Sequence, residues 1–205
     1  MPSDVQQTHA RVHASEELRQ VALEQFSTVG FAATSLQQIA DHAGYSKSSV
    51  LYHYSSKEAL LEAAIGPAID AMEELLGDFV ESGRSVEARA RFIERFVDFL
   101  LGHRLAVHTF VNQGQSLRGL PVVERANAAI RALADSICEA DAPLSEQLRF
   151  GVALGGAAYT LVAGATFVEA DQRIAIDADT RAALIAVLSE LLLPADGRTT
   201  RYSIS

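Results

Sequence analysis

Apolar positions recur at three- and four-residue intervals along nearly the whole chain, and no stretch alternates with the two-residue period of a half-buried strand. Leu18, Val21, Ala22 and Phe26 form one stripe of a first helix. Ser15 is suited to cap it, with Glu16 and Glu17 in the first turn, where the helix dipole favours carboxylates, and Gly30 ends it. Thr34 to Gln37 reads as a capping box opening a second helix, with Leu36, Ile39, Ala40 and Ala43 on its buried side and Gly44 at the left-handed position that closes it. Ser46 can cap a short third helix from Lys47 to about Tyr54. A second capping box, Ser55 to Glu58, starts a long fourth helix, Lys57 to about Ser82, which Gly66 and Pro67 should bend. Five more helical segments follow, over 86–101, 105–117, 122–140, 145–170 and 177–193. The expectation is an all-α protein of about nine helices: a flexible extension over 1–14, a helix-turn-helix domain over 15–60, a helical domain over 61–194 and a mobile tail over 195–205.

Composition narrows the setting. The chain has 205 residues, of which 49% are hydrophobic, enough for a real core. Its single Cys138 excludes an internal disulfide framework and suits a reducing cytosol, and Met1 to Arg11 lacks the apolar core of a signal peptide, so a cytoplasmic protein is expected. Phe150 to Val168 carries no charge and approaches spanning length. It is rich in glycine (Gly151, Gly155, Gly156, Gly164) and only weakly hydrophobic. Close helix packing, in a core or between subunits, explains it better than a membrane span.

The third helix is where chemistry concentrates. At 100° per residue Val50 and Tyr54 fall on one side, while Ser48, Ser49 and Tyr52 point away and Lys47, Leu51 and His53 lie on the flanks. Small and hydrogen-bonding groups facing outward on a short helix suit a DNA major groove. Lys47 can reach a guanine edge or a phosphate, Ser48 and Ser49 can approach base edges, and Leu51 can touch a thymine methyl. Tyr52 and His53 can donate to phosphate oxygens. Thr34, Ser35, Ser46 and Lys57, at helix mouths, are candidates to hold the backbone. Each taken alone is also an ordinary cap or surface residue.

Charge argues the other way. The net charge is −9, and through Leu60 only Arg11, Arg19, Lys47 and Lys57 stand against Asp4, Glu16, Glu17, Glu24, Asp41 and Glu58. Such a chain is no general nucleic-acid coat; binding must rest on a few placed cations and helix termini, with the acidic remainder suppressing loose association.

From Leu18 to Phe26, through Gly30 and Phe31, Thr34 to Ala40, Ala43 to Lys47 and Val50 to Tyr54, into Ser56 to Leu61, the N-terminal quarter resembles the DNA-binding domain of the tetracycline-repressor (TetR) family. It departs in places. The family often carries Gly where Ser48 stands and an aromatic where Leu51 stands, so its base preference does not transfer. Tyr54 replaces a usual Phe and brings a phenol that needs a partner if buried. The resemblance implies a non-enzymatic, dimeric regulator, most often a repressor released from a palindromic operator by a small molecule. It implies no cofactor and no membrane.

The second half would then bind the effector and form the dimer. Gly151, Gly155, Ala158 and Val162 of the eighth helix, with Leu184, Val187, Leu188 and Leu191 of the ninth, are the candidate interface, pairing into a four-helix bundle. Packing of this run inside one subunit is the alternative. Phe92, Phe96, Phe99, Phe110, Val111 and Tyr159 are candidates to line an effector cavity, with His103, His108, Asn112 and Gln113 as its polar contacts; plain core is the alternative for the aromatic stripe. A largely apolar ligand follows from so uncharged a wall. Enzyme signatures are missing: there is no Gly-rich phosphate loop, no nucleophile context and no His-Glu-x-x-His. His9 and His13 share a helix face but lie in the expected extension. A helical scaffold without DNA binding is the remaining rival, and the acidic head is its support.

Overall fold

The computed structural model describes residues 4–83, 85–114, 116–137, 142–166 and 178–193. Among them are nine α-helices and no strand: α1 (Asp4–Thr28), α2 (Leu36–Ala43), α3 (Lys47–His53), α4 (Lys57–Ser82), α5 (Val86–Gly102), α6 (Arg104–Gln113), α7 (Pro121–Ile137), α8 (Leu144–Thr166) and α9 (Ala178–Leu192). Cys138, the expected ends of α7 and α8, the expected start of α9 at Asp177 and the tail 195–205 lie outside the described residues. No described helix is long and apolar enough to cross a membrane.

The helix starts differ from the sequence reading in a consistent way. α1 is helical from Asp4, so Ser15 lies inside it and caps nothing, and residues 4–14 extend the helix. The box at α2 is shifted by one residue. Ser35 is the N-cap, its Oγ accepting from Gln38 N while the Gln38 side chain accepts from Ser35 N at 2.8 Å. Thr34 is unavailable because its hydroxyl donates to Gly30 O at 2.7 Å from a buried position. At α4 it is Ser56, not Ser55, whose Oγ accepts from Ala59 N at 3.1 Å. Gly44 closes α2 at φ 74°, a left-handed conformation that costs a glycine nothing. α4 runs unbroken through Pro67, which can donate no backbone hydrogen bond there.

The described helices divide into two compact units. The first takes 1–74 and 102–131, and the second 75–101 and 132–205. The division cuts α4 after Glu74 rather than at residue 60, and α6 joins the head. In the first unit the expected stripe is real: Leu18, Ala22 and Phe26 of α1 are fully buried with Ile39, Ala40, Val50, Leu60 and Leu61. α1 packs on α2 and on α6, and α2 on α3. The buried face of α1 alone supplies several kcal/mol at about 25 cal/mol per Å² of apolar surface. The extra phenol of Tyr54 finds its partner in Ser15, bonding with the hydroxyl at 2.8 Å and donating to the carbonyl at 2.9 Å.

The turn between α1 and α2 is held by α6. Gln113, expected as a ligand contact, accepts from Phe31 N at 2.7 Å and donates to Phe26 O. Its amide also lies against Gly30, where φ is 101°. In the second unit α8 packs on α9, and Arg181 of α9 forms a two-pronged ion pair with Asp98 of α5 at 2.6 and 2.8 Å.

Gln113→Ala leaves the half-buried Phe31 amide without a partner. It should lower stability by about 1–2 kcal/mol in thermal or urea unfolding. Amide exchange should accelerate at Phe31 before it does elsewhere in the head. Unchanged exchange there would show that the turn does not rely on α6.

Candidate nucleic-acid interface

α3 is short because its ends are chemically determined. Ser46 caps it, with Oγ accepting from Ser49 N at 3.1 Å and bonding the Ser48 hydroxyl at 2.8 Å. Tyr54, extended at φ −135°, ends it. Val50 is fully buried and locks the helix to the core of the head. The opposite side is open: Lys47 and Ser48 are exposed, Leu51 is 44% exposed and Tyr52 64% exposed. Ser49 and His53 are half-buried, and the His53 ring meets Tyr52 edge-on at 5.2 Å. The outer surface of α3 thus brings together Lys47, Ser48, Leu51 and Tyr52, with Ser46 as its cap.

Ser35 is exposed but committed to its capping box. Two backbone-holding candidates are corrected. Thr34 is 2% exposed and its hydroxyl is engaged within the loop, so its side chain is not presented to a phosphate. Lys57 points inward: Nζ donates to Phe31 O at 2.7 Å and Thr34 O at 2.9 Å and stands 4.3 Å from the centre of the Phe31 ring. Two carbonyls and one ring face thus surround the ammonium of a half-buried side chain.

The sequence reading missed Arg11, whose guanidinium carbon sits 5.2 Å from the centre of the Tyr52 ring. A signal existed: Arg11 and Ser15 are one turn apart, and helix propensity does not stop at Ser15. Tyr45 also reaches α1, donating its hydroxyl to Glu17, a bond that holds the phenol above its ordinary pKa.

The residues expected around an effector are divided between the two units. Phe92, Phe96 and Phe99 of α5 belong to the second unit, where Phe79, Phe92, Phe96 and Phe99 stack in series at 4.9, 5.7 and 6.2 Å. Phe92 and Phe96 are buried in that series. His103, His108, Phe110, Val111 and Asn112 belong to the first unit, and Val111 and Asn112 are exposed. Burial, reinforced by Arg19 at His103 and Arg104 at His108, pushes both imidazoles below their ordinary pKa, so they are held neutral at neutral pH. Nδ1 of His108 is a buried atom with no hydrogen-bond partner within the protein, unlike any other described buried side-chain atom.

Tyr159 is half-exposed on α8, on a stripe with Leu144, Leu148, Val152 and Gly155. Val152 is 70% exposed and Leu148 57%. Beside that stripe a groove of about 410 Å³ runs between α8 and α9, lined by Val152, Gly156, Leu184, Val187, Leu188 and Leu191 among others. Of the expected interface residues Gly151, Gly155, Val187 and Leu191 are exposed, and Ala158 and Leu184 are half-buried. Val162 and Leu188 are corrected: both are buried within the subunit, Leu188 as floor of the groove.

Known proteins fit this geometry. Residues 18–64 match the model of the bacterial regulatory proteins of the tetR family. The chain is similar to the HTH-type transcriptional regulator RutR of Escherichia coli K12, 32% identical over 115 residues that cover 56% of this chain and 53% of RutR. It is also similar to the HTH-type transcriptional repressor KstR2 of Mycolicibacterium smegmatis, 30% identical over 36% of this chain and 43% of KstR2. The chain spans about half the length of the curated relatives it matches. Among solved structures, a TetR-family transcriptional regulator from Bordetella parapertussis superposes with a TM-score of 0.68 at 18% identity, over 87% of this chain and 93% of the other. The ketosteroid transcriptional regulator KstR2 of Mycobacterium tuberculosis gives 0.65 at 18%, over 88% and 95%. At that identity the superpositions establish the fold. These relatives are regulators rather than enzymes.

The two lysines should separate cleanly. Lys47→Ala should leave the thermal midpoint in place while weakening duplex binding and flattening its log-log salt dependence by about 0.9 per subunit. Lys57→Met should do the reverse, losing about 1–2 kcal/mol of stability with the salt slope retained. A flattened slope in Lys57→Met would return that residue to the interface.

Proposed function

We propose, from the match of residues 18–64 to the tetR-family model, that the chain is a regulator of that family: a dimeric repressor released from a palindromic operator by a small, largely apolar effector. The observation that carries the DNA-binding part is the outward face of α3. Lys47, Ser48, Leu51 and Tyr52 are exposed while buried Val50 and the Tyr54–Ser15 bonds fix the helix behind them. A helix anchored from behind, with donors, acceptors and one methyl-bearing side chain in front, can read base edges in a major groove. One such helix spans too few base pairs for selectivity, and a twofold pair reading a palindrome removes that limit.

The α8–α9 face supports the pairing. Gly151, Gly155 and Gly156 stand in helix interior, where glycine is disfavoured by about 1 kcal/mol relative to alanine. A Cβ added at any of them meets nothing within 4 Å among the described residues, so packing against those does not call for their smallness. Close approach of a second copy does. Leu148 and Val152 next to them are apolar surface of the kind that marks an interface.

For the effector, support comes from His108. Its unpaired buried Nδ1 carries a desolvation cost of about 1–3 kcal/mol that a hydrogen-bonding group of a ligand would recover. Release from DNA would be a population shift in which the effector prefers the arrangement that does not bind operator. α4, one helix from Lys57 to Ser82, and α6, which grips the α1–α2 turn through Gln113, are the elements suited to transmit it.

Selection by the full chain from a random-sequence duplex pool tests this reading. The enriched sequence should be an inverted repeat with half-site centres about 34–36 Å apart or a multiple of that. Val152→Glu should turn the dimer into a monomer in light scattering and lose the repeat while retaining its helical circular dichroism. Enrichment of nothing, or of a lone half-site by a monomeric wild type, would reject the proposal.

A further inference from the structure

The interface as expected is short of cations, and α1 adds one. Residues 4–14 continue α1, which puts Arg11 on the same helix face as Ser15, one turn away. Ser15 is tied to Tyr54, just past the end of α3, by bonds of 2.8 and 2.9 Å. Arg11 lies over Tyr52, the penultimate residue of α3 and 64% exposed. Two successive turns of α1 are therefore registered against the C-terminal end of α3.

The charge inventory of the head gives that contact its meaning. Arg19 is paired with Glu16, and Lys57 is engaged by the carbonyls of Phe31 and Thr34. Among the described residues up to Leu60, Lys47 and Arg11 are the cations with no carboxylate or carbonyl partner. Lys47 is the first residue of α3 and Arg11 stands at its other end, so the two bracket the outer surface of the helix. A guanidinium lying over a ring is attracted through its charge and still has N–H groups to donate to a phosphate.

We infer that Arg11, held by the ring of Tyr52, is a second phosphate-binding cation of this interface and grips the DNA backbone flanking the bases that α3 reads. The inference rests on the DNA-binding reading above. An exposed arginine contributes little to folding, so its removal should be felt in binding.

The test uses the full chain and a duplex that wild type enriches from a random-sequence pool, beside an unrelated duplex of equal length. Arg11→Ala should weaken binding to both by the same factor, about fivefold or more near 0.1 M salt, and flatten the log-log salt slope by about 0.9 per subunit. Arg11→Lys, which keeps the charge and loses the planar stack, should retain the slope and part of the affinity. Circular dichroism of each variant should match wild type. Unchanged affinity and slope in Arg11→Ala, with Lys47→Ala weakened, would overturn the role of Arg11 and leave the interface standing. A loss confined to the selected duplex with the slope intact would also overturn it, since Arg11 would then be reading bases. A wild type that enriches no duplex would remove the DNA-binding reading and this inference together.

Discussion

The turn between α1 and α2 is the constraint on which the head depends. A chain leaving α1 at Gly30 in a left-handed conformation has several carbonyls and amides with no helical partner. Lys57 takes the carbonyls of Phe31 and Thr34 from one side, and Gln113 takes Phe26 and Phe31 from the other. Thr34 closes the loop on itself through Gly30. With the turn pinned, the angle between α1 and α2 is set, and through α2 the pose of α3 follows. A lysine and a glutamine that look available for ligands are thus consumed in making the surface on which ligand chemistry depends.

That consumption decides the electrostatics of the interface. The head is acidic, and its cations are not equivalent. Of the four up to Leu60, one is paired to a neighbouring glutamate, one is sheltered against carbonyls and a ring, and the remaining two flank α3. Counterion release scales with the phosphates contacted, so so few cations imply modest non-specific attraction. Selectivity would come from helix geometry and from duplication by symmetry rather than from bulk charge.

The second unit is organised by a different economy of space. Its phenylalanines meet one another in series, a run of ring contacts that gives the unit an aromatic core. Its glycines do the opposite. They thin the outer face of α8 where no other described residue of the subunit approaches, beside exposed leucine and valine. The aromatic stripe fits a structural role, and the glycine stripe fits an external one.

The local sequence was enough for the number of helices, the all-helical class, the short α3 with Val50 inward and its cap at Ser46, because 3.6-residue periodicity and capping chemistry act over neighbouring residues. Two capping boxes were misread by one residue; at the first, Thr34 is unavailable because its hydroxyl is engaged by the Gly30 carbonyl, a contact made only once the turn is folded. The start of α1 was misplaced because a good cap at Ser15 does not end a helix whose earlier turns also favour it. The roles of Lys57, Gln113 and Tyr54 were beyond reach, since their partners lie 23 to 87 residues away along the chain. Sequence periodicity carries which face of a helix turns inward; only packing carries which distant polar group a side chain meets, and hence whether a charge is left for a partner or used up at home.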